Sequence, residues 1–196
     1  MRFFEICIIF LGAALAAGCG SGSDFLSGGA SCGPYTAPSQ SPYVLPYPVG
    51  QSFLTSQGNC GTYSHTGDDR YAYDFAMPIG TTIVATRAGT VLDLIESNTD
   101  DNGGISANFV RITHSDGTIA IYAHLTKDGV VVSAGASVTQ GQSIALSGNS
   151  GYSSAGHLHF EVFQDANSSK SVPVTFSNAS PNPNGPLKTD STYSAL

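Results

Sequence analysis

Charge is scarce in this chain, and positive charge scarcest. Seven Lys and Arg stand against fourteen Asp and Glu in 196 residues, a formal net charge of −7. No basic patch exists to neutralise phosphates, so nucleic acid is not an expected partner. Long helical patterns are missing too: past the first twenty residues no extended segment repeats its apolar residues every 3.6 positions. There is no internal repeat, and the length suits one domain of ordinary size with appendages, not two. What is plentiful is glycine, 23 residues, between short runs of β-branched and aromatic side chains. That is the composition of a mostly β domain with many turns.

The first residues are set apart from the rest. Phe3-Phe4-Glu5-Ile6-Cys7-Ile8-Ile9-Phe10-Leu11 leads into a run of alanines that ends at Gly18-Cys19. The stretch is short for a membrane span and has the shape of a signal peptide over residues 1–18. Ala16-Ala17-Gly18-Cys19 resembles a bacterial lipobox, although Leu15 sits one place earlier than the usual leucine. A lipid on Cys19 would make the membrane a partner and place the protein in the cell envelope, facing the periplasm or exterior. Ordinary secretion is the alternative. Residues 19–42, rich in Gly, Ser, Ala and Pro, read as a tether. With Cys7 removed and Cys19 lipidated, Cys32 and Cys60 remain, and an oxidising compartment favours a disulfide between them. Its loop of about 30 residues would contribute roughly 3–4 kcal/mol.

From Tyr43 onward the sequence breaks into strand-like segments cut by Pro78, Gly80 and Gly89. Residues 108–114 and 118–125 flank the turn Ser115-Asp116-Gly117, the clearest hairpin in the chain. Residues 96–106 read as an exposed hairpin loop, and 129–144 contain a loop-and-turn stretch that includes residues 138–142. The Gly- and Ser-rich stretch 147–156 precedes the string His157-Leu158-His159-Phe160-Glu161-Val162. Residues 172–176 suggest an edge strand, since Pro173 cannot sit in a central one. The domain is expected over residues 43–176, followed by a polar, poorly ordered tail at 177–196.

The His157/His159 pair carries the chemistry. On a strand, side chains alternate with period two, so both imidazoles face the same way, and Glu161 shares that face. One can hold a metal while the other acts on what the metal binds. A second strand that supplies a histidine and a carboxylate would complete a three-ligand site with an open fourth position, as catalytic zinc requires.

Several motifs occur in a telling order: His65; Asp74-Phe75-Ala76-Met77-Pro78-Ile79-Gly80-Thr81; His114-Ser115-Asp116-Gly117; Tyr122-Ala123-His124-Leu125; and Gly156-His157-Leu158-His159-Phe160-Glu161-Val162. Together they resemble the M23 zinc metallopeptidases, the lysostaphin- and LytM-type peptidoglycan endopeptidases. The resemblance implies a single mostly β domain of antiparallel sheets with long loops around a substrate groove. It implies His65, Asp74 and His159 as ligands of Zn²⁺, with His124 and His157 as the catalytic histidines. Peptidoglycan peptides would be the substrate and a monomer the working form.

The family spacing is His-x-x-x-Asp, which here would select Asp69, whereas Asp74 lies nine positions after His65 and has the family's strand context. Asp74 is the expected ligand, and the extra residues form an inserted loop. His114 is expected to be structural. Tyr122, two before His124, is a candidate cleft residue or a core tyrosine. Gln57-Gly58-Asn59 and Glu161 are candidates for outer support of the site. The rival reading is a non-catalytic wall-binding or hydrolase-activating lipoprotein on the same fold.

Overall fold

A computed structural model describes residues 32–101, 103–104 and 106–196. The signal segment, Cys19 and the tether as far as residue 31 lie outside the described residues. Among those described, no helix is long and apolar enough to cross a membrane.

The strands are β1 (Ser52–Gln57), β2 (Tyr73–Ala76), β3 (Thr82–Val84), β4 (Gly89–Ile95), β5 (Asn108–Thr113), β6 (Ile119–Val130), β7 (Ser137–Val138), β8 (Ser143–Ser147), β9 (His157–Phe163), β10 (Ala179–Ser180) and β11 (Ser191–Ala195). They pair antiparallel in the order β10-β11-β1-β2-β9-β6-β5-β4-β7, while β8 joins β6 to β3. The fold is therefore the antiparallel, nearly all-sheet architecture expected, and the 108–125 hairpin forms as β5 and β6.

Period-two alternation divides the central strands into two faces. Tyr73 and Phe75 of β2, Leu158, Phe160 and Val162 of β9, and Val110 and Ile112 of β5 all point into one continuous core. Phe176 closes it, 5.3 Å from Tyr73 and 5.8 Å from Phe160 between ring centroids. Truncating a ring such as Phe160 to alanine costs about 3–5 kcal/mol. The opposite face of β2 and β9 is left to Asp74, Ala76, His157 and His159.

The fold extends beyond the expected boundaries at both ends. At the N-terminal side, Cys32 is joined to Cys60 by a disulfide, Pro38 is buried, and the Thr36 carbonyl accepts a hydrogen bond from Thr175 Oγ1. At the C-terminal side, residues 177–196 are not a loose tail. β11 pairs with β1, with Tyr193 opposite Phe53, and Leu187 and Tyr193 are each 3% exposed. The polar composition concealed a short alternating strand whose inward side chains are Tyr193 and Ala195. Residues 172–176 form no strand. Ser171 makes a single bridge to Phe163, and Val174 and Phe176 enter the core from irregular backbone. The stretch 129–144 holds the end of β6, the short β7 and the start of β8, with the expected loops and turns at 131–136 and 139–142 between them.

Candidate metal centre and active-site cleft

The β2–β9 register places Asp74 directly opposite His159 and Ala76 opposite His157. His159 Nδ1 lies 2.9 Å from Asp74 Oδ1, and its Nε2 is 3.5 Å from Glu161 Oε1, two residues along the same face. Burial alone would suppress the charge on His159, but hydrogen bonds to Asp74 and Glu161 outweigh it and raise its pKa to about 10. Burial likewise opposes ionisation of Asp74. The hydrogen bond to the His159 imidazole overcomes it and holds the carboxyl well below its usual range.

His65 arrives from the loop between β1 and β2. The Cys32–Cys60 disulfide and the bond from Cys60 N to the Arg70 carbonyl (2.5 Å) tie that loop down. The imidazole is fully buried, and Nδ1 is 3.0 Å from the Gly58 carbonyl, which leaves Nε2 as the outward lone pair. Nε2 sits 3.2 Å from Asp74 Oδ2 but outside hydrogen-bond geometry, so it is buried without a hydrogen-bond partner. Leaving a polar atom in that state costs about 1–3 kcal/mol. The donor atoms of His65, Asp74 and His159 all lie within 4.8 Å of one another. Two imidazoles and one carboxylate converging this closely, one with an orphaned lone pair, fit a tetrahedral Zn²⁺ with one open position. The Glu161 contact to the far nitrogen of His159 is of the kind that supports a histidine where it ligates a metal.

His124 reaches the same place by a different device. In the β5–β6 ladder Phe109 pairs with Ala123 and Asn108 with Leu125, so His124 is the extra residue of a β-bulge. Its φ of 62° is left-handed, at a cost of about 1–2 kcal/mol. The bulge turns its ring over the cleft, 4.6 Å from His157 and 5.9 Å from His159 between centroids. Its Nδ1 meets the Ser150 carbonyl at 2.7 Å. Burial first, and then the neighbouring imidazoles, lower its pKa to about 4, so it is neutral at pH 7. His157 Nδ1 faces the Ala155 carbonyl at 2.9 Å and Ser153 Oγ at 3.1 Å, and its Nε2 lies 3.8 Å from Asp74 Oδ1. Both rings therefore give Nδ1–H to a carbonyl and turn Nε2 toward the cleft.

The five expected residues thus converge. Asp69 sits in a 3-10 turn (Gly67–Asp69) on the wall of the cleft, outside the group of converging donors. His114 is buried away from the site with Nδ1 2.9 Å from the Ala88 carbonyl. Tyr122 is a core residue. The bulge at His124 breaks the alternation that would have put them on one face, and the Tyr122 hydroxyl instead bonds Thr86 N (2.8 Å) and Thr86 Oγ1 (2.7 Å). Of Gln57-Gly58-Asn59, the first two reach the site. Gln57 Nε2 donates to Asp74 Oδ2 at 3.3 Å, Gly58 supplies the carbonyl behind His65, and Asn59 braces Tyr73. Two exposed rings, Tyr63 and Tyr152, line the mouth of the roughly 630 Å³ cleft, with no Lys or Arg among the lining residues. Nothing in the local sequence pattern distinguished these tyrosines.

Residues 68–172 match peptidase family M23, a stretch that begins just after His65 and contains Asp74, His124, His157 and His159. Over 89 residues (45% of this chain and 19% of the relative) the sequence is 38% identical to the peptidoglycan DD-endopeptidase ShyA of Vibrio cholerae. Over 113 residues (56% of this chain and 22% of the relative) it is 37% identical to lysostaphin of Staphylococcus simulans. The chain spans less than a third of the length of the curated relatives it matches. Among solved structures, a mutant catalytic domain of the prophage-encoded M23 protein EnpA from Enterococcus faecalis aligns with a TM-score of 0.51 at 26% identity. That alignment covers 65% of this chain and 93% of the EnpA domain. With more than half of the sequence matched, the fold shared and the histidines and aspartate gathered in one cleft, the chain belongs to peptidase family M23.

Proposed function

We propose that this protein is a zinc-dependent endopeptidase that cleaves peptide bonds of bacterial peptidoglycan, works as a monomer, and is held at the cell envelope by a lipid on Cys19. The observation that carries the catalytic reading is the buried, unpartnered Nε2 of His65 facing Asp74 and His159 at the floor of an open cleft. The cell-wall substrate is supported by relatives named as peptidoglycan and glycyl-glycine endopeptidases.

His65, Asp74 and His159 would hold the zinc. The bound ion supplies Lewis acidity, polarising a scissile carbonyl and making water nucleophilic at neutral pH. The chain's own residues do the rest. The glycines of the cleft walls, which carry no Lys or Arg, let a peptide backbone lie close. The Nε2 of one of the pair, His124 or His157, accepts the proton released as water attacks the carbonyl carbon. That proton passes to the amine nitrogen when the C–N bond breaks, and the imidazolium N–H donates to the developing oxyanion in the meantime.

Elemental analysis of the purified protein, paired with a muropeptide digest read by mass spectrometry, tests this reading. Near-stoichiometric zinc and cleaved cross-links are expected, with both lost in His159→Ala. No zinc after reconstitution, or zinc without cleavage, would replace the hydrolase with a wall-binding or activating module. For the anchor, Cys19→Ser is expected to move the protein from the membrane to the soluble envelope fraction.

A further inference from the structure

The two cleft histidines owe their orientation to one turn, and that turn is fastened from outside the site. Ser150 supplies the carbonyl for His124 Nδ1. The Asn149 side chain accepts from Ser153 Oγ at 2.5 Å, and Ser153 Oγ in turn meets His157 Nδ1. The turn is pressed onto β6 so closely that a Cβ on Gly148 would lie 2.3 Å from Thr126 N and 2.5 Å from the Leu125 carbonyl carbon.

The fastening is Asp100, in the loop between β4 and β5. Its Oδ1 accepts the Asn149 backbone N–H at 2.6 Å, and its Oδ2 accepts the Thr126 hydroxyl at 2.6 Å. Thr126 is two residues beyond His124 on β6, so one carboxylate clips the histidine-bearing strand to the turn that aims its ring. The neighbouring Asp101 adds a bond to the Asn149 side chain and receives support through its own N–H from the Asn149 carbonyl at 3.1 Å.

From this geometry we infer that Asp100 is a positioning residue of the active site: it clips the 148–153 turn to β6 and so fixes His124 and His157 with Nε2 toward the cleft. The inference rests on the catalytic reading of those two histidines. Asp100 itself touches neither histidine nor the donors of His65, Asp74 and His159, so its loss acts on ring orientation and spares metal binding. A left-handed residue such as His124 persists only where its surroundings over-determine it. The clip is part of that surrounding.

The test uses Asp100→Ala and Asp100→Asn in the full zinc-loaded protein. Asparagine can still accept from Asn149 N–H with its carbonyl and donate to Thr126 with its amide. For Asp100→Ala we expect kcat on cross-linked muropeptides to fall on the order of 10- to 100-fold, with KM and zinc content unchanged. For Asp100→Asn we expect a return to within a few-fold of wild type. Thr126→Val, which cuts one bond of the clip, should fall between. Independently of activity, the 15N shifts of the His124 ring should show one tautomer, protonated at Nδ1, in wild type and Asp100→Asn, and a mixture in Asp100→Ala. Wild-type kcat and a single tautomer in Asp100→Ala would overturn the inference, as would loss of zinc in that variant. If the wild type cleaves no muropeptide, the catalytic reading fails and with it the claim of an active-site role, and the tautomer shifts then report the clip alone.

Discussion

Asp74→Ala is the change whose consequences the structure fixes most tightly. The carboxylate lies 2.9 Å from His159 Nδ1, 3.2 Å from His65 Nε2, 3.3 Å from Gln57 Nε2 and 3.8 Å from His157 Nε2. Without it, three imidazoles surround a gap and only Glu161, at 3.5 Å, balances a charge on His159. Removing one partner of a buried charged pair costs about 3–5 kcal/mol. The Asp74 side chain is 13% exposed to an open cleft, so water relieves part of this and the lower end, about 3 kcal/mol, applies. For a domain of this size each kcal/mol moves Tm by about 2–4 °C, which predicts a fall of about 6–12 °C in EDTA-treated protein. Zinc at a hundred times its Kd should add about 2.7 kcal/mol to the wild type, or about 5–11 °C. Asp74→Ala should gain nothing. Asp69→Ala, an exposed substitution, should melt within about 0.5 kcal/mol of wild type and keep the whole zinc gain. Thermal unfolding followed by circular dichroism, with and without zinc, reads all three. A zinc gain that survives in Asp74→Ala, or one that disappears in Asp69→Ala, would refute the reasoning and move the ligand to Asp69.

Three further outcomes can be checked on the same protein. Burial lowers the pKa of His114 against a partial offset from the Ala88 carbonyl, so the fold favours the neutral ring. Stability from this group is complete above pH 6.5 and is lost as pH falls from there toward the lowered folded value. His114→Asn, which can still donate to Ala88, should therefore flatten the pH dependence of unfolding in that window by up to about 1.4 kcal/mol per pH unit, measured by urea denaturation at pH 5 to 7. Opening the disulfide in a Cys32→Ser/Cys60→Ser variant should cost about 3–4 kcal/mol and, by freeing the loop that carries His65, weaken zinc binding in a competition titration. Tyr193→Ala should cost about 3–5 kcal/mol in the same denaturation assay, because Tyr193 packs in the core through β11; an unchanged midpoint would restore the disordered tail.

The sequence made some of this site legible and not the rest, and the division follows from how each contact is built. His157, His159 and Glu161 lie two apart on one strand, so their common face could be read from alternation alone, and β9 pairs with β2 and β6 without a register shift. Asp74 could be preferred to Asp69 because a strand context followed it, and β2 runs where that context predicts, from Tyr73 to Ala76. Alternation failed where the backbone departs from it. The same rule that linked His157 to His159 linked Tyr122 to His124, and a single inserted residue at the bulge sent Tyr122 into the core and His124 over the cleft. Nothing in Tyr-Ala-His-Leu announces a left-handed histidine; beside the bulge Asn108 bonds the Leu125 carbonyl with its side chain at 3.0 Å and Ser150 Oγ with its N–H at 2.9 Å. The clip at Asp100 is hidden in the same way, since its partners lie 26 and 49 residues away, one on β6 and one in the turn before β9. Reactive groups spaced along one strand leave a signature in sequence, whereas the groups that aim them are found by tertiary crossing and leave none. The aiming residues are therefore where substitutions can silence the cleft while every recognisable motif stays intact, and Asp100→Ala is the case that separates motif from geometry.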